Sequence, residues 1–516
     1  MIKLDKNHDP RKNAELVNTI RGECLNISEI IEETEELFQK YCKRSPPNGK
    51  GKSTPHTITE SVFRLFSKHS HVLKPTRIVF DTAGNPCPDW KVVLDQEFIR
   101  LTEICLPEVH VTDYGAVGDG RTDCTGAFKK ALGNGRVKVL VPEGVFVTKG
   151  IQMPSWSILS GAGKGLTTIK LHEDAAKSQR LVTNAHHWKG NHHIFIHSLS
   201  LDWNVERLGN VKKTSTFGNH SSCLTFANVT YGWVKDVEAI NPGLHCFDIS
   251  STQYNYAGDG FRARGSSKYV WFDQLTGYGF GDDGITTHHS DYIFITNSHM
   301  CDPSGRAHRK GFSNSNGIEI DDGSRNVMLV NNSSAKCFGG VEIKAHENSS
   351  AASNVIIIGH ISVNDNRSFN FRHIGHHKRT DPESKSAFNI MAMNLVSFAP
   401  VFTDLYQEST PRSLVVSAYK NVVINHLSMI GDSHYDFKGN PIAAIQYRAR
   451  DVVLSNVSIS NFHRASVGIK VFGGENKAES IQIINIKSDQ SLQKMIDIGK
   501  GNERIHIQCS QEEHAK

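Results

Sequence analysis

The sequence holds no stretch of roughly 20 apolar residues, the length a membrane-spanning helix needs. It opens on MIKLDKNHDPRKN, polar and charged, without the apolar core of a secretory signal. It also has no CxxC pair. Its ten cysteines, Cys24, Cys42, Cys87, Cys105 and Cys124 among them, fall in separate segments with no regular spacing. That argues against structural zinc sites and a disulfide framework, and for free thiols in a chain folded in a reducing cytosol. Nor is there a large excess of one charge: 58 basic and 53 acidic residues leave +5 over 516 residues. Nucleic-acid binding usually calls for a concentrated basic face. Neither a membrane nor a nucleic acid is therefore expected as a partner.

What is present is a chain with 38% hydrophobic residues, enough for a large core and too long for one ordinary compact domain. Its 27 histidines are unusual, and a groove rich in His, Arg and Lys would suit an acidic glycan. Near the start, Ile20, Cys24, Ile27, Ile31, Thr34, Phe38 and Tyr41 follow a 4-3 spacing. Two structures fit that seam: a short coiled coil, or an amphipathic helix packed on its own domain. KRSPPNGKGKSTP then reads as a linker or exposed loop, and residues 56–106 as an adaptor or neck. The expected division is an N-terminal tail over 1–106 and a second domain over 107–516.

That second domain repeats loosely. At its start VHVTDYGAVGDGRTDCTGAFKKAL gives a strand, a turn and a helix over Thr125–Leu132, with Asp123 and Thr125 as candidate N-caps. From Ile194 onward, one half of each unit is a small residue followed by alternating apolar ones, as in HCFDISS, DDGITTHHS, SNGIEIDDG and GGVEIKAH. The other half is a short strand, usually entered through Asn-Val, as in SRNVMLVNN, ASNVIIIGH and YKNVVINHL. The period averages roughly 25 to 30 residues, a solenoid range. Units of short strands without helices imply an all-β fold class, a right-handed parallel β-helix (solenoid) whose coils pair with one another. The helix would plug its open end. Asn326, Asn354 and Asn421 recur at one turn, where left-handed backbone suits Asn.

The run DYGAVGDGRTD, followed by its capping helix, resembles the first coil of the pectate-lyase-like β-helix superfamily, commonly carried by phage tail spikes and tail appendages. A second resemblance is to polygalacturonases. Asp282 and Asp283 match their Asp pair and Lys344 their Lys, but His245, Asn316 and Glu342 stand where that family has Asp, His and Arg. The constellation is incomplete, and pectin is not implied. The stretch 151–375 also looks like tail proteins of phages of Gram-positive bacteria. These resemblances imply a depolymerase in a virion tail, outside the cell once lysis releases it, attached through its N-terminal region. They also imply a homotrimer acting on a bacterial capsular or cell-wall polysaccharide.

Strand alternation sorts the side chains. It turns Asp248, Thr286, Glu319 and Glu342 outward in one row, with Asp282 and Asp283 at a strand start beside it. Coils stack roughly 4.8 Å apart, so such carboxylates repel and one gains a raised pKa suited to a general acid. The catalytic candidates are Asp282, Asp283, Glu319, Glu342 and Lys344. The substrate-binding candidates are His245, Asp248, His288, Asp321, Asp322, His346, Arg372 and His373. No cofactor or metal is expected, with Ca²⁺ the competing occupant of the carboxylates. Glycoside hydrolysis leads. The alternatives are β-elimination on a uronate with Lys344 or a His as base, a teichoic acid phosphodiesterase, and a receptor-binding fibre without catalysis.

Overall fold

The computed structural model describes residues 2–22, 25–42, 58–69, 73–105, 107–376 and 383–508. From Glu108–His110, paired with Val137–Leu140, to Glu479–Ser488, paired with Glu503–Gln508, parallel strands hydrogen-bond one coil to the next. Two long sheets result, of 21 and 12 strands. This is a right-handed parallel β-helix. Its core is stacked by register: Phe247, Ile285, Ile318, Val341, Phe369 and Leu414 oppose one another in successive coils, and all are fully buried. Each such side chain contributes about 1.5–3 kcal/mol by burial. The small residue that opens each unit is a packing requirement. A Cβ on Gly284 would meet the Gly317 carbonyl oxygen at 2.5 Å.

The coil corners are left-handed. Asn326, Asn354 and Asn421 have φ of 56°, 53° and 58°, and Asn389 joins the column at 62°. The Asn389 amide donates to Asn354 Oδ1 at 2.9 Å, and Asn421 donates to Asn389 Oδ1 at 3.0 Å. Asn389 escapes the Asn-Val pattern because Ile follows it. Toward the N-terminus aromatic residues fill the same column: Tyr292, Tyr269, Tyr231, His193 and Trp156, all at positive φ. The Tyr269 and Tyr292 rings stack at 4.7 Å. The first coil is capped by the helix Thr125–Leu132, which buries Phe128 and Leu132; Asp123 accepts from the Thr125 amide at 3.0 Å.

Up to residue 42, and again before residue 105, N-terminal segments lie along the outside of the 21-stranded sheet, while residues 58–69 lie against the segment 256–263. Helices α1 (Asn13–Arg21) and α2 (Ile27–Tyr41) are separate, so the 4-3 seam is not one continuous helix. Cys24 lies outside the described residues. Seam residues Ile31, Thr34 and Phe38 are buried against the chain's own solenoid, with Phe38 beside Val423 and Val453. The coiled-coil reading thus gives way to the packed helix. The reason is the sheet's outer face, where Met328, Ile356 and Ile358 form an apolar strip that needs cover. The Glu33 carboxylate adds contacts to Asn425 at 3.1 Å, His426 at 2.9 Å and Asn456 at 2.7 Å. Helix α3 (Ile58–Leu65) leads into Ser67–His69, which pairs antiparallel with Phe261–Ala263. Helix α4 (Lys91–Ile104) sets Phe98 edge-on to Phe195 and Trp233. The eight described cysteines are free and buried. Among the described residues no helix is long and apolar enough to cross a membrane.

Phe38→Ala is expected to lower the denaturant midpoint by the equivalent of about 3 kcal/mol, as large-to-small changes in buried aromatics do. An unchanged midpoint would show that α2 does not pack on the solenoid.

Candidate active site

Four consecutive strands of the 12-stranded sheet, Phe247–Ser250, Ile285–Thr287, Asn316–Ile320 and Gly339–Ala345, carry the site. Their register sets Asp248 opposite Thr286, Thr286 opposite Glu319, and Glu319 opposite Glu342, so the outward row read from alternation is a real ladder. Two residues further along lie His288, Asp321 and Lys344; three residues back lie His245, Asp283 and Asn316. Eight of the thirteen candidates line one cavity of about 300 Å³: His245, Asp282, Asp283, His288, Glu319, Asp321, Lys344 and His346.

The carboxylates are wired to cations and amides. Asn316 donates from its backbone N to Asp283 at 2.9 Å, and from Nδ2 to both Asp283 and Glu319, at 3.0 and 2.9 Å. Thr286 Oγ1 donates to Glu319 at 3.1 Å. Lys344 Nζ lies 2.7 Å from Glu319 and 3.6 Å from Asp321. His245 Nδ1 meets Asp248 at 3.0 Å, and its Nε2 faces Asp283 at 3.6 Å and Asp282 at 3.9 Å. His308 Nε2 lies 3.0 Å from Asp282.

These contacts drive neighbouring acids apart. Burial, then the charges of Glu319 and Asp282, push Asp283 well above the usual carboxylate range. Burial also works on Asp282, but hydrogen bonds and charge from His245 and His308 outweigh it and hold Asp282 well below that range. Burial raises Glu319, with Lys344 opposing. Asp321 is held well down: Lys344, His346 and His288 overcome its burial. Burial would lower His245 and His346, yet their acidic neighbours lift each to about 9. Lys344 is likewise pushed well up despite burial, first by Asp321 and then by Glu319.

The outward row is not an open face. Asp248 and Glu342 are fully buried and Glu319 nearly so, because the loops that join the strands of these coils fold back over the sheet. Lys213–Gly218, Tyr254 with Tyr256, and His308 with Asn314 close over the carboxylates. Asp282 keeps the most open side chain, 15% exposed against 4% for Asp283.

Five candidates do not reach the cavity. Glu342 accepts from Arg372 Nε and from Asn370 at 3.1 Å, so it and Arg372 form an internal pair one coil on. Asp248 backs His245, and Asp322 backs His346 at 3.0 Å. His373 is buried elsewhere, bonded to Ser384 at 2.7 Å and ring to ring with His376 at 4.2 Å. Asp259 gathers there with His373 and His376, its carboxylate already accepting from Ser384, Ser386 and the Lys385 amide. His377 lies outside the described residues. Conversely, His308, Lys213, Tyr254, Tyr256 and Phe217, the last 70% exposed at the rim, were not singled out in the sequence. They sit on loops, where no periodicity marks a direction.

A family model described as rhamnogalacturonase A/epimerase, pectate lyase-like, matches residues 109–342, which include the DYGAVGDGRTD turn and most of the cavity. The N-terminal fragment of bacteriophage phi29 gene product 12 is 40% identical, with a TM-score of 0.71 over 81% of this chain and 68% of that one. This chain belongs to the pectate-lyase-like family of parallel β-helices. Within the family, the phage-related protein YobO of Bacillus subtilis (strain 168) is 50% identical over 476 residues, 91% of this chain and 59% of that protein. The pre-neck appendage protein of Bacillus phage phi29 is 43% identical over 403 residues, 77% of this chain and 46% of that protein. The chain thus spans about half the length of the curated relatives it matches. The polygalacturonase departures acquire a geometry: Asn316 bridges Asp283 and Glu319, and His245 stands between Asp248 and the Asp pair.

His245 is raised from 6.5 in the unfolded chain to about 9 in the fold. Its ion pairs therefore stabilise fully below about pH 6.5, and that contribution is lost as pH rises through about 9. His245→Gln should lower the melting temperature more at about pH 6 than at about pH 10. Equal losses at both would mean that His245 is neutral in the fold.

Proposed function

We propose that this chain is the polymer-cleaving part of a phage tail appendage, and that it hydrolyses a bacterial surface polysaccharide in the roofed cavity. The observation that carries the reading is the opposed state of two adjacent acids. Asp283 is pushed well above the usual carboxylate range, toward the protonated form, while Asp282, more open to the cavity, is held well below it. A proton donor beside an ionised carboxylate is the pair that glycoside hydrolysis needs: one protonates the leaving oxygen, the other activates water or attacks. Glu319, sharing Asn316 with Asp283, holds the acid in place, and its proximity adds to the burial that raises Asp283.

Lys213, His346 lifted to about 9, and His308, pushed upward by its hydrogen bond to Asp282, line the same space, so the polymer is expected to be anionic. That lining also favours a second reading, cleavage of a phosphodiester polymer of the teichoic acid type. Elimination on a uronate fits less well, because Lys344, His245 and His346 are all held in their protonated forms and offer no free base. Attachment to a virion tail belongs to the same reading and rests on the pre-neck appendage relatives; assembly as a homotrimer is proposed with it, from the resemblance to tail spikes. With the seam packed on the solenoid, α2 is not the trimer's interface. Sedimentation of the full chain would show the trimer.

The test is incubation with surface polymers of Bacillus, with mass analysis of the fragments. Added water marks hydrolysis, an ultraviolet-absorbing unsaturated uronate marks elimination, and phosphomonoester ends mark the second reading. Asp282→Asn, Asp283→Asn and Glu319→Gln should each cut turnover by about 100-fold or more. Their circular dichroism should confirm folding, since each change also removes a buried contact. Polymer bound with no fall in size, or near-normal turnover in all three variants, would overturn the reading. Chelation should leave turnover unchanged, because the carboxylates Ca²⁺ would need already face cations: His308 and His245 at Asp282, His245 at Asp283, Lys344 at Asp321 and His346 at Asp322.

A further inference from the structure

We infer that a second cavity, on the same face and nearer the N-terminal cap, is a distal subsite for an anionic stretch of the same polymer. This rests on the proposed polymer-cleaving function but uses none of its catalytic residues. The cavity measures about 560 Å³, within the range of small-molecule sites. It lies between the strands Ile151–Met153 and Val182–Asn184 and the C-terminal end of helix α5 (Thr125–Leu132).

Register ties it to the active site. Gln152 opposes Thr183, Thr183 opposes Thr225, Thr225 opposes Asp248, and the file continues through Thr286 to Glu319. Gln152 and Thr183 line the distal cavity, and Glu319 lines the catalytic one. Both cavities therefore lie at the two ends of one ladder, whose middle members Thr225, Asp248 and Thr286 are covered, so a chain joining them passes over the loops above these residues. Thr183 is four coils from Glu319, about 19 Å at ~4.8 Å per coil. A polymer lying along the solenoid axis meets both, and a fragment of one or two units meets only one.

The lining indicates the ligand. Lys129 and Lys149 stand on one wall, both exposed, and Lys149 is held only loosely, 3.8 Å from Asp123. Gln152 and His186 offer donors and acceptors for hydroxyl groups, while Phe128 and Pro154 give apolar contact. Ammonium groups, amides and an apolar wall together suit an acidic saccharide. The two lysines match the cationic lining of the catalytic cavity, so both sites select one kind of chain.

The experiment compares the wild type with Gln152→Trp, which fills the cavity, and with Lys129→Glu/Lys149→Glu. All three residues are exposed, so folding is not at stake. The probe is the anionic wall polymer of Bacillus subtilis (strain 168), intact and size-fractionated into short oligomers. On the intact polymer KM should rise about tenfold with kcat unchanged, and the kinetics on short oligomers should not move. Affinity electrophoresis in an Asp283→Asn background should show the same weakening without turnover. Unchanged KM and retention, or equal losses on long and short chains, would overturn the inference. If Asp283→Asn keeps its turnover while the distal variants still lose retention, the catalytic assignment fails and the distal subsite stands. No retention of the intact polymer by any form overturns both.

Discussion

Everything in this molecule depends on keeping adjacent coils in strict register, and the coil corners enforce it. Parallel strands can shift only if their corners shift with them. Here each corner of the long column is a residue at positive φ, a conformation that most side chains adopt at a cost of about 1–3 kcal/mol. Asn lowers that cost, and its amide gives it a neighbour to bond, as Asn389 does to Asn354. Where Asn gives out, stacked rings such as Tyr269 on Tyr292 take over. A slip by one residue would turn every buried Ile and Val outward and every outward acid into the core. The corners therefore fix which residues share a row, and the chemistry follows from the rows.

Because the rows are fixed, carboxylates come to stand one coil apart, and the loops that roof them take away the water that would screen them. Such a cluster survives only if each charge has a partner or keeps a proton. Both solutions occur side by side. Asp321 and Asp282 are matched by Lys344, His346, His245 and His308, whereas Asp283 and Glu319 share one amide and are pushed toward the neutral form. The asymmetry comes first from burial, which raises Asp283 and Glu319, and then from cations added to the other two acids: His308 on Asp282, and His288 and His346 on Asp321. One acid pushed up beside another held down is the kind of pairing that acid–base cleavage of an acetal uses.

The N-terminal helices show the same economy of surface. A parallel solenoid has two faces to every sheet, and an apolar outer strip such as Met328, Ile356 and Ile358 must be covered. Segments of the same chain do so, with Trp90 edge-on to Tyr269 and Tyr292, and Phe38 beside Val423. On the other side, Phe63 of α3 lies against Tyr256 of the cavity lining, so the N-terminal region also braces the roof of the site.

The sequence by itself determined the solenoid, the inward Ile and Val, the outward ladder from Asp248 to Glu342, and the gathering of Asp282, Asp283, Glu319, Asp321 and Lys344. All of these follow from a period of two along each strand and from recurring Asn and Gly at corners, which are local and repeat. Tertiary structure alone decided the rest. It placed the seam of Ile31, Thr34 and Phe38 on the chain's own sheet rather than on another helix. It buried Glu342 with Arg372, sent His373 to a separate cluster, and brought His308 onto Asp282 from a loop. The physical reason is the range of the forces involved. Alternation is set by neighbouring residues, whereas a roof and its charge pairing come from the irregular loops between strands, and nothing in the period of one strand encodes how its loop will fold over it.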